Sequence, residues 1–316
     1  MEKRILAAVI LIAAFVFMNA TQVLADAQAE YNKGYDFFAK KDFKSAIACF
    51  DKAIKENSGF VKAFTFRGYS YFMLEKYKES LNDLNTAVQL DPENSTALYY
   101  RGMADFYLGY SKKAGEDFDG VLRKQKDNAY AYFMKSVCCL RLADYAGAIH
   151  NASDTISNAP KEGEAYVIRG IAYLLQNKYE YAAKDFNAAM ELNPSDTAFI
   201  VYKFIGDARA GKDNKAEIEG FYLKGKKNQW PHLGAGLLID KVTPEDCIAG
   251  AKNAGTTERA KKNNEDQANF IVSQYFFMKK DTKQGNAYLA KSMDEQGPLF
   301  LIQGVVKESL EKMKGK

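Results

Sequence analysis

Small and large apolar positions recur along this chain with a constant step of 34 residues. The clearest column holds a small residue inside an apolar stretch, namely Gly34, Gly68, Gly102, Ser136 and Gly170. Twelve residues further on lies a second small-residue column, Ala46, Ser80, Ala114, Ala148 and Ala182. No insertion interrupts five copies between residues 27 and 195. A period of this length predicts a tandem array of one supersecondary unit.

Within each copy the apolar spacing predicts two helices. In the first helix, large apolar residues stand four before and three after the small residue, as at Tyr166, Gly170 and Tyr173, so that they share one face. The second helix carries small and large residues four apart, as at Ala182 and Phe186. The glycine lets the second helix approach closely. Prolines in one register, Pro92, Pro160 and Pro194, end the second helices.

These columns resemble the tetratricopeptide repeat family, whose period and Gly/Tyr/Ala/Phe/Ala/Pro signature match the first, second and fifth copies closely. The third and fourth copies depart from it, because Asp105 and Cys139 replace the usual tyrosine and Ser136 the glycine. The resemblance covers residues 27 to about 223. It implies an all-α protein, a right-handed α-solenoid of tetratricopeptide helix pairs with a helical C-terminal cap.

A weaker sixth copy starts near Thr197, keeps Ala216 and has Phe204 in place of the glycine. The predicted repeat array therefore spans residues 26–223, and residues 224–316 form a separate helical C-terminal region.

In the C-terminal region, Thr243 and Pro244 followed by two acids predict a helix start. Residues 266–293 are interpreted as a decayed seventh copy, with the turn between its helices at Lys280. A last helix from about residue 298 to residue 312 is expected to cap the stack.

This tail also resembles the C-terminal part of exported tetratricopeptide adaptors that tether cell-wall hydrolases. The shared features are the Trp230-Pro231 turn, the Thr243-Pro244-Glu245 helix start and a late degenerate repeat. Those adaptors are usually lipoproteins, whereas this chain has no cysteine near its N-terminal segment.

Residues 1–25 have the order of a secretory signal peptide. A charged start at Lys3-Arg4 precedes an uninterrupted apolar run from Ile5 to Met18 and a more polar stretch that ends at Ala25. The apolar run is shorter than a membrane span, so cleavage near Ala25 is favoured over retention as a membrane anchor. The protein is therefore expected to be exported, periplasmic or secreted, without stable membrane insertion after cleavage.

The amino-acid composition limits the kinds of function expected of the chain. The 316 residues are 47% hydrophobic and 27% charged, with a net charge of +4, which is ordinary for a globular protein and argues against nucleic-acid binding. The chain has only two histidines, so a His-rich metal site is not expected. No catalytic or cofactor-binding motif is recognisable, so we expect neither an enzyme nor a cofactor. The four cysteines lack a CxxC pattern and are interpreted as small buried side chains.

A basic residue precedes each small residue of the first column, and most second helices carry an acid sixteen positions later. The resulting combinations are Arg67 with Asp83, Arg101 with Asp117, and Arg169 with Asp185. In an antiparallel helix pair these positions face each other, which predicts structural ion pairs within the repeats rather than a stripe for an anionic ligand.

The first helices of tetratricopeptide arrays line a concave groove. The resemblance places an apolar and aromatic set there, with Tyr35, Tyr69, Phe72, Tyr99, Met103, Phe106 and Phe133 as candidate partner-binding residues. Such a groove suits a helix or an extended apolar peptide. The alternative left open is that part of the set packs between repeats or against the chain's own C-terminal region.

The function predicted from the sequence is therefore a non-catalytic exported scaffold or adaptor that binds protein or peptide partners, in cell-envelope assembly. A self-associating structural protein, including a homo-oligomer, is one alternative. An enzyme with its site in residues 224–316 is a less favoured one.

Overall fold

The structure, a computed structural model, describes residues 24–194, 196–224 and 229–292. All sixteen regular elements in these ranges are α-helices, so the prediction of an all-α fold is confirmed. The chain divides into two compact units at Leu108 and Gly109. The expected capping helix and all but the last two residues of the expected signal peptide lie outside the described residues.

The described part of unit 1 contains five helices. They are α1 (24–39), α2 (Phe43–Glu56), α3 (Val61–Met73), α4 (Tyr77–Leu90) and α5 (Ser95–Tyr107). Each of the helices α2, α3 and α4 packs against the next one along the chain, and α3 also packs against α5. The first helices of successive repeats therefore form one layer and the second helices another.

The described part of unit 2 contains eleven helices. They are α6 (Ser111–Lys124), α7 (Ala129–Arg141), α8 (Tyr145–Asn158), α9 (Gly163–Leu175), α10 (Tyr179–Leu192), α11 (Thr197–Arg209), α12 (Lys215–Lys224), α13 (His232–Leu238), α14 (Pro244–Asn253), α15 (Glu258–Met278) and α16 (Thr282–Ser292). The inner layer is α7, α9 and α11, which pack side by side. Helix α15 packs against α11, α13, α14 and α16.

The glycine column is where the two helices of a repeat come closest. A Cβ atom added to Gly68 would lie 2.7 Å from Cγ of Leu84, and one added to Gly170 would lie 2.6 Å from the ring of Phe186. Side chains at these positions would push the second helix away. In the fourth copy a larger Ser136 is matched by a smaller Ala152, and both are fully buried.

The turns within the repeats share a backbone feature that the apolar pattern does not reveal. One residue in each adopts a positive φ, and the set keeps the step of 34: Lys41, Glu75, Gly109, Ala143, Asn177 and Gly211. Only two of the six are glycines, so the other turns hold an L-residue in the left-handed conformation, which is unfavourable without a compensating fold.

The sixth copy departs from the expected repeat at its second helix. Ala216 is exposed, whereas the matching Ala182 is fully buried. Phe204 stands where a glycine would allow close approach, and it packs instead with Ile218, Ala235 and Ile239. A phenyl ring at this position keeps α12 away from α11, so α12 turns a different face inward.

Two predictions for the C-terminal region have counterparts in the structure. Helix α14 starts as expected, because Thr243 accepts a hydrogen bond from the backbone N–H of Asp246, at 3.1 Å, and Pro244 is its first residue. Helices α15 and α16 form a pair joined at Lys279–Asp281, which is the turn expected of the decayed copy. A Cβ added to Gly285 of α16 would lie 2.5 Å from the ring of Phe277.

Candidate functional site

The inner layer of unit 1 carries a group of aromatic rings that remains partly open to solvent. We call it the aromatic surface and define it as Tyr31, Tyr35, Phe38, Phe66 and Tyr69. Tyr35 is 45% exposed, and Tyr31, Phe38 and Phe66 are intermediate. Tyr35 meets Phe66 edge to face with centroids 5.1 Å apart, and Phe38 meets Tyr69 at 4.6 Å. These contacts fix the rings on two helices, α1 and α3, before any partner arrives.

Two tyrosines of the aromatic surface, Tyr31 and Tyr69, are uncharged near neutral pH. Burial, helped by the charge of neighbouring Tyr35, raises the pKa of Tyr31 to about 12. Burial likewise raises the pKa of Tyr69 to about 12 against a lowering hydrogen bond with Tyr100. Half-buried rings with polar hydroxyl groups are well suited to a peptide, since they supply both apolar area and a hydrogen-bonding group.

Tyr69 and Phe72 are buried because they pack between consecutive repeats. Tyr69 stacks on Tyr100 with ring centroids 3.6 Å apart. Phe72 contacts Tyr77, Tyr100 and Tyr107 at 5.5, 5.6 and 5.7 Å. For these two candidates the structure favours the alternative of internal packing over an open groove.

The candidates Tyr99, Met103, Phe106 and Phe133 are also buried, at 5%, 1%, 0% and 0% exposure. These four residues do not form an open surface in the structure, which corrects the expectation from the sequence. Tyr35 is the candidate groove residue that the structure places at the surface.

The corresponding inner face of unit 2 is aliphatic except at Phe133, and it is closed. We call it the aliphatic row; its members share the groove positions of α7, α9 and α11 and are Phe133, Val137, Leu140, Val167, Ile171, Leu174, Val201 and Ile205. None of them is more than 2% exposed. Among the described helices, α9 packs extensively against α8 and α10 and makes smaller contacts with α7 and α11.

Two of the three predicted ion pairs are present. Arg67 donates from Nε and Nη2 to the two carboxylate oxygens of Asp83 at 2.7 and 2.6 Å. Arg169 makes the same two-pronged contact with Asp185 at 2.8 Å for both hydrogen bonds. Arg101 and Asp117 belong to different units, and their pairing stays a prediction.

Burial and ion pairing shift the pKa values of these groups in opposite directions. Burial alone would lower the pKa of Arg67, but the hydrogen bonds and charges of Asp83 and Asp51 outweigh it and raise the pKa. The hydrogen bond from Arg169 to Asp185 likewise raises the pKa of that arginine. Burial raises the pKa of Asp83 even though Arg67 opposes the change. Both arginines stay charged and are held in structural roles.

Four of the basic residues have a second partner on their other side, which the sequence prediction did not include. Nη1 of Arg67 donates to Asp51 at 2.6 Å, and Nη1 of Arg169 donates to Ser153 at 3.1 Å. Arg101 reaches Asn85 and Lys135 reaches Asp119 in the same way. Each of these acceptors lies sixteen residues before the base, in the preceding second helix. The signal was present as a polar column with the same step of 34: Asp51, Asn85, Asp119, Ser153 and Asn187.

Helix α15 buries an unusual number of polar side chains. Gln267 accepts a hydrogen bond from Nε1 of Trp230 and donates one to the hydroxyl of Tyr202, both at 3.1 Å. Asp266 is fully buried and accepts from Lys262 at 2.7 Å. Asn263 is 1% exposed, and neither atom of its amide has a hydrogen-bond partner among the described residues. Gln267 thus ties α15 to α11 and to the segment before α13.

Other chemistry is limited within the described residues. No group of three or more His, Cys, Asp or Glu side chains in them could hold a metal ion. The four cysteines are free thiols, and burial raises the pKa of Cys139 to about 11 and of Cys247 to about 12. Such thiols are poor nucleophiles at neutral pH. None of the described helices has the length and apolar character needed to cross a membrane.

Comparison with known proteins agrees with this architecture. Residues 68–109 match the family described as TPR repeat, and residues 163–196 match the family described as Tetratricopeptide repeat. No curated protein sequence matches the chain.

Three solved structures share the fold. YrrB, a TPR protein with an unusual peptide-binding site, is 21% identical over 55% of this chain and 89% of its own, with a TM-score of 0.52. A MamA protein is 24% identical over 54% of this chain and 92% of its own, with a TM-score of 0.51. MamA from Desulfovibrio magneticus RS-1 is 16% identical over 54% and 97%, also with a TM-score of 0.51. The predicted tetratricopeptide fold is thus confirmed.

Proposed function

We propose that this chain, which is a tetratricopeptide repeat protein, is a non-catalytic scaffold or adaptor that binds an apolar or aromatic peptide segment of a protein partner. The observation that carries the proposal is the aromatic surface of unit 1. Tyr35 is 45% exposed there, and the rings around it are held in place by one another. Exposed, preorganised aromatic residues are the side chains that most often dominate binding energy at interfaces.

The family supports the same use of the fold. YrrB has this fold and a peptide-binding site. In the present chain the first helices of unit 1 supply the candidate contacts. An extended or helical peptide would bury the open faces of Tyr31, Tyr35 and Phe38, with the tyrosine hydroxyls available for hydrogen bonds.

The proposed site is tested by selecting peptides from a random library on the purified full chain. We expect apolar and aromatic peptides to be enriched, and the double variant Tyr35→Ser/Phe38→Ser to bind them at least tenfold more weakly. The matched control is Tyr181→Ser, because Tyr181 is 60% exposed on the second-helix layer of unit 2. Equal binding by the wild type and the double variant would refute the site.

The self-associating alternative is separated from this proposal by measuring mass against concentration. Light scattering on the wild type and on Tyr35→Ser/Phe38→Ser would show a concentration-dependent dimer in the former alone if the aromatic surface binds a second copy. A monomer at all concentrations, together with selected peptides, leaves a different protein as the partner.

Export and a role in cell-envelope assembly are part of the proposal. They rest on the signal-peptide pattern of residues 1–25 and on the adaptor resemblance of the C-terminal region. Mass spectrometry of the protein recovered from outside the cytoplasm should give a chain that begins at Asp26 or Gln28. A chain that retains Met1 and stays in the cytoplasm would exclude export.

A further inference from the structure

Arg209 is a half-buried arginine of unit 2 whose guanidinium is held by aromatic rings. It is the last residue of α11. Its Nη2 atom donates a hydrogen bond to the hydroxyl of Tyr179 on α10 at 2.6 Å. The guanidinium carbon lies over the ring of Tyr179, 4.4 Å from the centroid, and over the ring of Phe277 on α15, at 5.6 Å. Side chains from two other helices therefore fix its position.

Two lysines nearby are paired with acids, whereas Arg209 is not. Lys212, three residues further on, binds Asp207 at 2.8 Å. Lys279, just after α15, binds Asp240 at 2.7 Å. In the part of the chain that the structure describes, no carboxylate is paired with Arg209. Its Nε and Nη1 atoms have no acceptor there and are not buried, so both can be reached from solvent.

The position of Arg209 in the repeat does not require a charged side chain. The same column is occupied by Ala39, Met73, Tyr107, Arg141 and Leu175. Four of these five residues are uncharged. In unit 1, Tyr107 stacks on Tyr77 with ring centroids 4.9 Å apart. Tyr77 lies 102 residues before Tyr179, which is three steps of 34, so an uncharged ring makes the contact that Arg209 makes in unit 2. Packing alone therefore does not account for the guanidinium.

We propose that Arg209 binds a carboxylate of a protein partner, supplied by an aspartate or glutamate side chain or by a C-terminus. A guanidinium has five N–H groups, and Tyr179 takes one of them. The remaining groups can hold both oxygens of a carboxylate, as Arg169 holds Asp185. A guanidinium that is already fixed loses little conformational freedom on binding, which is why such arginines often contribute strongly to interfaces.

The local charge favours a carboxylate over a phosphate group. The exposed charged residues next to the two rings cancel one another. They are Lys178 and Glu180 beside the first ring, and Lys280 and Asp281 in the turn after the second. Arg209 therefore adds one uncompensated positive charge, which matches the single negative charge of a carboxylate better than the charge of about −2 of a phosphate group.

The proposal is tested by NMR of the full chain with isotope-labelled arginine. The Nε–H resonance of Arg209 is assigned by its loss in Arg209→Lys. N-acetylglutamic acid α-amide supplies a side-chain carboxylate and N-acetylalanine a C-terminal one. We expect at least one of them to shift this resonance saturably, with a Kd on the order of 1–10 mM, and the stronger one identifies the source. The resonances of Arg67 and Arg169, which are already paired, should not move.

The matched uncharged probes are N-acetylglutamine α-amide and N-acetylalanine amide, and neither should shift the resonance of Arg209. A resonance that stays in place with both carboxylates, or moves equally with the uncharged probes, would overturn the proposal. Inorganic phosphate that binds about tenfold more tightly than either carboxylate would also overturn it.

A second measurement separates binding from packing. Arg209→Tyr keeps a ring at the contact, as Tyr107 does in unit 1, and should unfold at the same temperature as the wild type. Arg209→Ser removes the ring contact and should unfold about 2–4 °C lower. Equal losses for both variants would show that the charge serves packing and would overturn the proposal. Neither measurement involves the aromatic surface of unit 1, so failure here is distinct from failure of peptide binding there.

Discussion

The inner faces of the two units are formed by the same repeat positions, but they differ in residue type and in exposure. In unit 1 the column is aromatic and, at α1 and α3, partly open, with Tyr35 45% exposed. In unit 2 it is aliphatic except at Phe133 and it is closed, with Ile171, at the same repeat position as Tyr35, fully buried. Tyrosine tolerates a boundary with water because its hydroxyl stays hydrated, whereas an aliphatic side chain gains only from complete burial. The position in the repeat thus fixes the direction in which a side chain points. The residues packed around that side chain decide whether it is exposed to solvent.

Truncating the central residue of each face gives the largest contrast between the units. Ile171→Ala should lower the free energy of unfolding by about 3 kcal/mol, because it removes a fully buried side chain and leaves a cavity. Tyr35→Ala should cost about 1 kcal/mol, since its ring is partly solvated and the rings that it contacts are themselves only half-buried. Urea unfolding followed by circular dichroism measures both. Similar losses would mean that the two faces are equally buried in solution.

The ion pairs provide the next contrast. Asp185→Ala leaves Arg169 with only the hydroxyl of Ser153 and should cost about 3 kcal/mol. Asp83→Ala leaves Arg67 with the carboxylate of Asp51 and should cost about 2 kcal/mol. Adding Asp51→Ala to Asp83→Ala removes both carboxylates from Arg67. The double variant should then lose at least as much stability as Asp185→Ala. If the single variants lose the same stability, Asp51 contributes nothing to the pair.

Glycine replacement tests how tightly each pair of helices is clamped. Gly170→Ala should cost about 2 kcal/mol, because Phe186 has Gly206 on its other side and cannot move away. Gly68→Ala should cost about 1 kcal/mol or less, since Leu84 can change rotamer and alanine favours the helix. Thermal unfolding of the two variants compares them. A smaller loss of stability for Gly170→Ala than for Gly68→Ala would contradict the tighter packing around Phe186.

Replacing the positive-φ residues of the turns should change the stability of the two units alike. This change should be the smallest of the four. Glu75→Gly in unit 1 and Ala143→Gly in unit 2 should each stabilise the protein by about 0.5 kcal/mol, because both positions have φ near +60°. The control Ala146→Gly lies at an exposed position of α8 and should destabilise by about as much. Stabilities from urea unfolding that fall with all three variants would show that the turns carry no strain.

Much of the fold could be predicted from the sequence because the relevant interactions repeat with the chain. The step of 34 gave the helix pairs, and the spacing of sixteen residues gave the contacts of Arg67 with Asp83 and of Arg169 with Asp185. The helix start at Thr243 was also readable, since capping depends on adjacent residues. Of the candidate groove residues, the sequence identified Tyr35 but could not separate it from six that are buried.

The sequence by itself therefore determined what each repeat does within its own length: two helices, a close approach at glycine, and an ion pair across the hairpin. Only the tertiary structure decided what lies on the remaining sides. It brought Asp51 to Arg67 from the preceding repeat and turned α12 around Phe204. It also left Tyr35 open while it closed the aliphatic row. Local contacts recur with the period and can be read from it, whereas exposure depends on groups far away in the chain that a periodic pattern does not encode.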